Sequence, residues 1–257
     1  MRSAIGAHLP HFHDFDSVDA ERFDLVVPLT LEDARHFNLR FAHLNRVTAL
    51  VPSTPALEAC DDKQEFARRV ARGGFARFLP RCEPLAYPYL LKKRISEWGM
   101  DTYIIDGDEG EDLHAGKLGS VEYMRQEYIA GQQEYTTHLL MAGGRSRFMR
   151  TVAFNFTETL FVKGRHFVAA SQECVDHGCF STLFEDILGC VGLEGICCFN
   201  YKLDAGTPKI FEVNPRYGAS LTPFLAEVIE CLEGLLGETR ERRPRRGPPM
   251  QAAYSRE

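Results

Sequence analysis

The sequence predicts an α+β protein whose second half is a run of antiparallel strands. Three observations carry that expectation. Between 121 and 162, β-rich runs are separated by Ala130-Gly131 and Gly143-Gly144 turns. An amphipathic helix follows over Phe180 to Val191, with Leu183, Phe184, Ile187 and Leu188 on its apolar side. A hairpin closes the pattern, with Gly195 to Leu203 turning at Ala205-Gly206 into a strand that begins near Lys209.

In chain order, residues 1 to 22 read as irregular, and Phe23 to Leu29 as a short buried strand. Thr30 is a candidate helix N-cap with Asp33 three residues on, and Leu31, Ala34, Phe37, Phe41 and Leu44 fit the helical period to about Asn45. Val47 to Val51 reads as a second strand, so a strand–helix–strand unit with a parallel pair is expected. Asp61 or Asp62 caps the next helix, which carries Phe66 and Val70 and stops at Gly73-Gly74. Tyr89 to Lys93 and Thr102 to Ile105 are strands, Asp106 to Asp112 an acidic turn, and Val121 to Ile129 another strand. Glu134 to Ala142, Phe148 to Phe156 and Thr159 to Val162 form the meander. Leu221 to Leu236 is the final helix, and the Arg/Pro-rich residues 237–257 are expected to be disordered.

Composition narrows the function classes. A net charge of −6 gives no electrostatic case for nucleic acid. No apolar run approaches the ~20 residues of a membrane span, and the histidine-rich N-terminus lacks a signal-peptide core. A soluble, cytoplasmic protein is expected, with a homodimer left open. The eight cysteines do not form a dense disulfide framework. Cys174 to Cys179 offers metal-ligand types around His177, but no second pair closes a zinc site, so it reads as a loop.

The stretch richest in chemistry is Glu212-Val213-Asn214-Pro215-Arg216. On an alternating strand Phe211 and Val213 point one way, and Glu212 and Asn214 the other. Pro215 ends the ladder because it has no N–H. A carboxylate, an amide oxygen and an arginine at a strand end suit a magnesium phosphate, although strand ends also carry ordinary turns and ion pairs. A hairpin centred on Gly206 sets Asn200 opposite Glu212, with Phe199 and Tyr201 sharing the core face with Phe211 and Val213. Asn200, Glu212 and Asn214 then cluster as oxygen donors, the chemistry of a hard cation rather than zinc or copper. The other reading is the polar, solvent-facing side of a sheet.

The same five residues resemble the Glu-x-Asn-Pro-Arg signature of ATP-grasp ligases, and the order of parts is similar from about Phe23 to Leu236. The likeness is nearest to carboxylate–amine ligases that include the carbamoyl-phosphate synthase type of domain. It implies an ATP-grasp fold of two α+β subdomains clasping a nucleotide, after a shortened α/β N-terminal segment. The implied divisions are 1–58, an ATP-grasp domain at 59–236 (lid about 80–126, catalytic part about 127–236) and the 237–257 tail. By the resemblance, Lys63 and Lys92 bind ATP phosphates, Glu127, Tyr128 and Ile129 read the adenine, and Glu134 accepts the ribose hydroxyls. Asn200, Glu212 and Asn214 hold Mg2+, with Mn2+ as a substitute, and Arg216 with Lys92 stabilises the transferred phosphoryl group.

The implied reaction joins a small-molecule carboxylate to an amine or thiol through an acyl phosphate. Three departures stand out. Lys92 is followed by Lys93-Arg94 and a lid with one glycine, Gly99, so Lys93 or Arg94 is expected to assist the lid. Position 200 is Asn where many members have an acid, and the N-terminal segment is short. A non-catalytic nucleotide-binding module is the alternative these departures motivate. Arg147, Arg150, His138 and Asn155 fall on strands near the expected acceptor region, where an arginine suits a carboxylate.

Overall fold

The computed structural model describes residues 17–241 apart from 24, 45–49, 84, 97–98 and 165–166. Thr30 caps α1 (Leu31–Phe41) in a reciprocal box: its hydroxyl accepts from Asp33 N at 3.0 Å, and the Asp33 carboxylate accepts from Thr30 N at 3.1 Å. Leu31, Ala34, Phe37 and Phe41 bury one face of α1 against Val18, Ala20, Val51 and Leu57.

The expected strand–helix–strand unit is not formed among the described residues. Residues 25–29 have no regular secondary structure and join no sheet. Their alternating Leu25, Val27 and Leu29 pack instead on the cluster around the last helix, so the apolar run is partly buried without a ladder, and Pro28 could not complete one. Most of the expected Val47 to Val51 strand lies outside the described residues, and Leu50 and Val51 belong to no strand.

Two helices follow in tandem, α2 (Thr54–Asp61) and α3 (Lys63–Val70). Asp62 separates them and caps α3, accepting from Gln64 N at 3.0 Å and Glu65 N at 3.3 Å. A wide turn at Ala71–Phe75 ends the helix, with Gly74 at φ 91°. The first sheet is antiparallel in the order β2-β1-β3, from β1 (Tyr89–Lys93), β2 (Thr102–Ile105) and β3 (Tyr123–Glu127). The expected acidic turn is helical, as α4 (Asp108–Leu113) and α5 (Ala115–Leu118). Tyr87 and Tyr89 hold it through Asp108 (3.0 Å) and Glu111 (2.6 Å).

The second sheet has the order β6-β5-β4-β7-β8, antiparallel throughout: β4 (Gln133–Ala142), β5 (Arg145–Asn155), β6 (Ser171–Val175), β7 (Gly195–Asp204) and β8 (Thr207–Asn214). Thr159 to Val162, expected as a strand, is a connection, and the fifth strand is Ser171–Val175.

Alternation gives this sheet two distinct faces. Leu139, Phe199, Tyr201, Ile210 and Val213 face a core completed by α2, α3 and α6 (Ser181–Val191) through Cys60, Phe66, Val70, Phe184, Ile187 and Leu188. Each large side chain fully buried there contributes roughly 1.5–3 kcal/mol. On the opposite face, Leu140 and Ile196 are covered by Leu225, Val228, Ile229 and Leu232 of α7 (Leu225–Glu241). The last helix therefore starts after a short 3-10 segment, Ala219–Phe224, and continues past the expected end at Leu236. The rest of the expected disordered tail lies outside the described residues.

The β7–β8 hairpin turns on Ala205 (φ 47°) and Gly206 (φ 79°), both left-handed, as a two-residue turn requires. Asp204 pairs with Thr207 and Tyr201 with Ile210. A bulge then shifts the register so that Asn200 stands opposite Glu212. The expected pair forms, but by a two-residue turn plus one inserted residue. The insertion corrects one expectation: Ile210, not Phe211, joins Val213 in the core, and Phe211 lines the opposite face with Glu212.

Candidate active site

A cavity of about 1030 Å³ lies between the two sheets. Its floor is the face of the second sheet that α7 leaves uncovered. The ladder sorts the floor into cross-strand rows. One row runs Gln172, Phe154, Glu134, and the next Cys174, Val152, Thr136, Asn200, Glu212. A third row sets Arg150, His138, Cys198 and Asn214 side by side. Leu90, Lys92, Ser96, Gly99 and Thr102 of the first sheet and its hairpin form the opposite wall.

Two of the three residues expected to hold a metal, Asn200 and Glu212, stand in the middle row, and the third, Asn214, is next to them in the third row. Asn200 Nδ2 donates to Glu212 Oε1 at 3.0 Å, and Asn214 Nδ2 to the same oxygen at 3.3 Å. Thr136 Oγ1 donates to Asn200 Oδ1 at 2.8 Å. Lys63 Nζ lies 3.6 Å from Glu212 Oε2. Burial alone would push the Glu212 carboxyl up, but Lys63, Lys92 and the two amides hold it down to about 2. One carboxylate with two amides is an oxygen donor set that fits Mg2+. Among the described residues, no group of three or more His, Cys, Asp or Glu side chains is placed to hold a metal.

Both candidate phosphate lysines are buried at this row. Lys63, the first residue of α3, donates Nζ to Ser96 O at 2.7 Å and backbone N to Arg94 O at 3.1 Å. Lys92 Nζ donates to Gln126 Oε1 at 3.3 Å and stands 5.9 Å from the centre of the Phe211 ring. Its pKa is lowered by burial, against the pull of Glu212. Arg94 is committed elsewhere: it forms an ion pair with Asp62 and donates to Val121 O at 3.1 Å.

At the base end, Tyr128, Ile129 and Glu134 line the cavity and Glu127 does not. The Glu127 carboxylate accepts from Arg81 N at 3.0 Å and from the Arg81 guanidinium at 2.7 Å, which lowers its pKa. Tyr128 uses its hydroxyl structurally, donating to Thr159 O at 2.9 Å and accepting from Phe161 N at 3.0 Å. Glu134 pairs with Lys163 at 2.9 Å.

At the far end, Arg216, Gly218 and Ser220 border the cavity. Arg216 donates to Tyr217 O at 3.2 Å. Gly218 packs so closely on the third row that a Cβ there would meet His138 Cε1 at 2.6 Å. His138 is fully buried and bonded to Ser220 Oγ at 2.8 Å. Burial and Lys163 lower its pKa to about 3, so the ring is neutral. The other acceptor candidates turn elsewhere: Arg150 pairs with Glu227 at 2.6 Å, Arg147 donates to Ala142 O at 3.3 Å, and Asn155 bonds Ser171 and Glu173.

Two lysines that were not among the expected site residues also line the cavity. Lys163 Nζ reaches Glu134, Thr136 Oγ1 (2.8 Å) and Asn200 Oδ1 (3.4 Å). It lies in a connection with no strand or helix signature, and its only sequence cue is the adjacent Gly164. Lys202 is buried, bonds Ile129 O and Gly131 O at 3.0 Å each, and stands 4.0 Å from the Phe161 ring centre. Burial lowers its pKa to about 8, against the pull of Glu134. Its position two residues past Asn200 was a readable signal, since it shares that face.

Among solved structures the chain is similar to L-amino acid ligase from Bacillus licheniformis, with a TM-score of 0.52, 17% identity, and coverage of 75% of this chain and 54% of that one. It is similar to D-alanine–D-alanine ligase from Bacillus anthracis complexed with ATP (TM-score 0.55, 14% identity, 88% and 77% covered). It also matches the biotin carboxylase–βγ-ATP complex from Campylobacter jejuni (TM-score 0.59, 14% identity, 84% and 54% covered). The chain spans about half the length of the first and third of these. No family model matches the chain, and no curated protein does. The fold is the ATP-grasp fold, mixed α+β over most of the chain.

Proposed function

We propose that this protein is an ATP-dependent ligase that joins a carboxylate to an amine or thiol through an acyl phosphate. The observation that carries the reading is the row Thr136, Asn200, Glu212 beside two buried lysines, Lys63 and Lys92, between the sheets. Buried ammonium groups of this kind are matched by a polyanion. The three-stranded sheet acts as the lid and the five-stranded sheet as the catalytic platform.

In this reading the rows order the substrate. The base sits against Phe211, Ile129 and Tyr128, and Glu134 accepts the ribose hydroxyls once Lys163 turns to the phosphates. Lys63, Lys92 and Lys163 hold the phosphate chain over the middle row. A divalent ion bound by Glu212, Asn214 and Asn200 would supply charge neutralisation between phosphates. Arg216 faces the end where the carboxylate attacks, and stabilises the charge on the transferred phosphoryl group and on the acyl phosphate. The chain contributes position and charge rather than a covalent nucleophile. Cys198 fits that division of labour: burial pushes its thiol up to about 11, so it is no thiolate.

A non-catalytic nucleotide-binding module is the second reading. It is favoured by the Glu127 carboxylate being taken by Arg81 and by Arg94 being taken by Asp62. An ADP-release screen over paired carboxylates and amines separates the two. Phosphate release with one pair, abolished in Glu212→Ala, supports the ligase. Mg-ATP binding with no release across the panel supports the module.

A further inference from the structure

The Glu212 carboxylate is enclosed by donors and cations supplied by the chain itself. Oε1 accepts from both Asn200 and Asn214, and Oε2 faces the Lys63 ammonium at 3.6 Å. Lys163 stands 3.4 Å from Asn200 Oδ1, the other oxygen a metal would need. Among the described residues that line the cavity, the cations are Lys63, Lys92, Lys163, Lys202 and Arg216, and the acids Glu134, Glu173 and Glu212. Of these acids, Glu134 is paired with Lys163. The candidate metal site thus offers one carboxylate, two neutral amides and a ring of positive charge.

We propose that the cavity takes a nucleotide polyphosphate without metal, and that the Lys63 ammonium bars free divalent ions from Glu212 until phosphates draw it away. The first half rests on the nucleotide reading above; the second rests on the Lys63 geometry alone.

Three physical points lead there. Magnesium gives up its waters reluctantly and is held by one or two carboxylates together with substrate phosphates, so a single acid beside an ammonium is a poor site for the free ion. A polyphosphate reverses that balance: its oxygens attract Lys63, Lys92 and Lys163, and supply the anionic ligands the row lacks. Lys63 also has a second place to bond, since its Nζ already donates to Ser96 O at 2.7 Å, so leaving Glu212 does not strand a buried charge.

The test uses the full chain and two titrations. In the first, calorimetry follows ADP in excess EDTA and then with magnesium; the expected affinities differ by less than about tenfold. In the second, MnCl2 is added without nucleotide and free Mn2+ is read by its paramagnetic resonance signal. Wild type is expected to bind none at about 1 mM, and Lys63→Met to gain binding by at least about tenfold. Circular dichroism establishes that the variant is folded, and the two wild-type titrations need no variant. ADP binding that requires magnesium overturns the loading order. Stoichiometric Mn2+ on wild type, or no gain in folded Lys63→Met, overturns the role of Lys63. Absence of ADP binding in both conditions sinks the nucleotide reading and the loading order with it, while the manganese titrations still decide the role of Lys63.

Discussion

Asn200 donates to Glu212 across the β7–β8 pair at 3.0 Å, and between the turn and this pair β8 carries one residue more than β7. The extra residue is Phe211, which lines the cavity below Lys92. Deleting Phe211 restores regular alternation and leaves Glu212 opposite Asn200. The shortened protein is expected to fold and to melt within about 5 °C of wild type. It loses a wall of the base end, so stabilisation by Mg-ADP should vanish. Thermal melts with and without Mg-ADP read both outcomes, and retained stabilisation would show that Phe211 is not part of the binding surface.

Glu212→Gln keeps the shape and an oxygen but removes the charge. ATP turnover is expected to fall by about 10³-fold or more, the scale of losing a charge-stabilising group at a reacting phosphoryl. Turnover within a few-fold of wild type rejects the assigned role.

The same carboxyl gives a pH signature. Its folded-state pKa of about 2 lies below the ordinary 4.5, so its contribution is present above pH 4.5 and is lost as pH falls toward 2. The shift sets a ceiling on the order of 3 kcal/mol, less whatever the relaxing lysines recover. Urea titrations between pH 5 and pH 3 should show wild type losing stability faster than Glu212→Gln. Parallel acid limbs for the two proteins would be inconsistent with the ion pairing at Glu212.

Asp62 caps α3 and pairs with Arg94 at the end of β1, so one side chain joins the helix that carries Lys63 to the sheet that carries Lys92. Asp62→Ala should cost about 1–3 kcal/mol, combining a lost cap with a partly buried ion pair. Chemical denaturation measures it, and a loss below about 0.5 kcal/mol would mean the link carries no weight.

Gly195 opens β7 at φ 95°, and a Cβ there would sit 1.8 Å from Leu50 O. Gly195→Ala meets both a steric block by backbone and an unfavourable dihedral. It is expected to destabilise by more than about 3 kcal/mol or to yield no folded protein. A cooperative melt close to wild type would contradict that geometry.

Much of the platform was legible because its determinants are local. Period-2 runs between glycine turns mark β4, β7 and β8, and apolar spacing marks α6. The N-terminal run was misread because Leu25, Val27 and Leu29 satisfy a strand's alternation while packing on a helix, and no local signal distinguishes the two. Phe211 was placed in the core because alternation cannot foresee a bulge. Lys163 escaped because a connection without regular structure places a side chain by tertiary contacts alone. The resemblance assigned Glu127 to the adenine, but its carboxylate is taken by Arg81, which lies 46 positions earlier and is joined to it only by the fold.

Lys63 touches two things at once. Its backbone N–H ends on Arg94 O and its ammonium on Ser96 O, both in the β1–β2 hairpin, while the same ammonium faces Glu212 on the platform. On the loading order proposed above, a phosphate that draws this ammonium from Glu212 leaves the Ser96 and backbone contacts in place, so α3 stays tied to the hairpin while its tie to the platform is released. A substitution at Lys63 would then loosen the seam between the two sheets as well as remove a charge from the cavity.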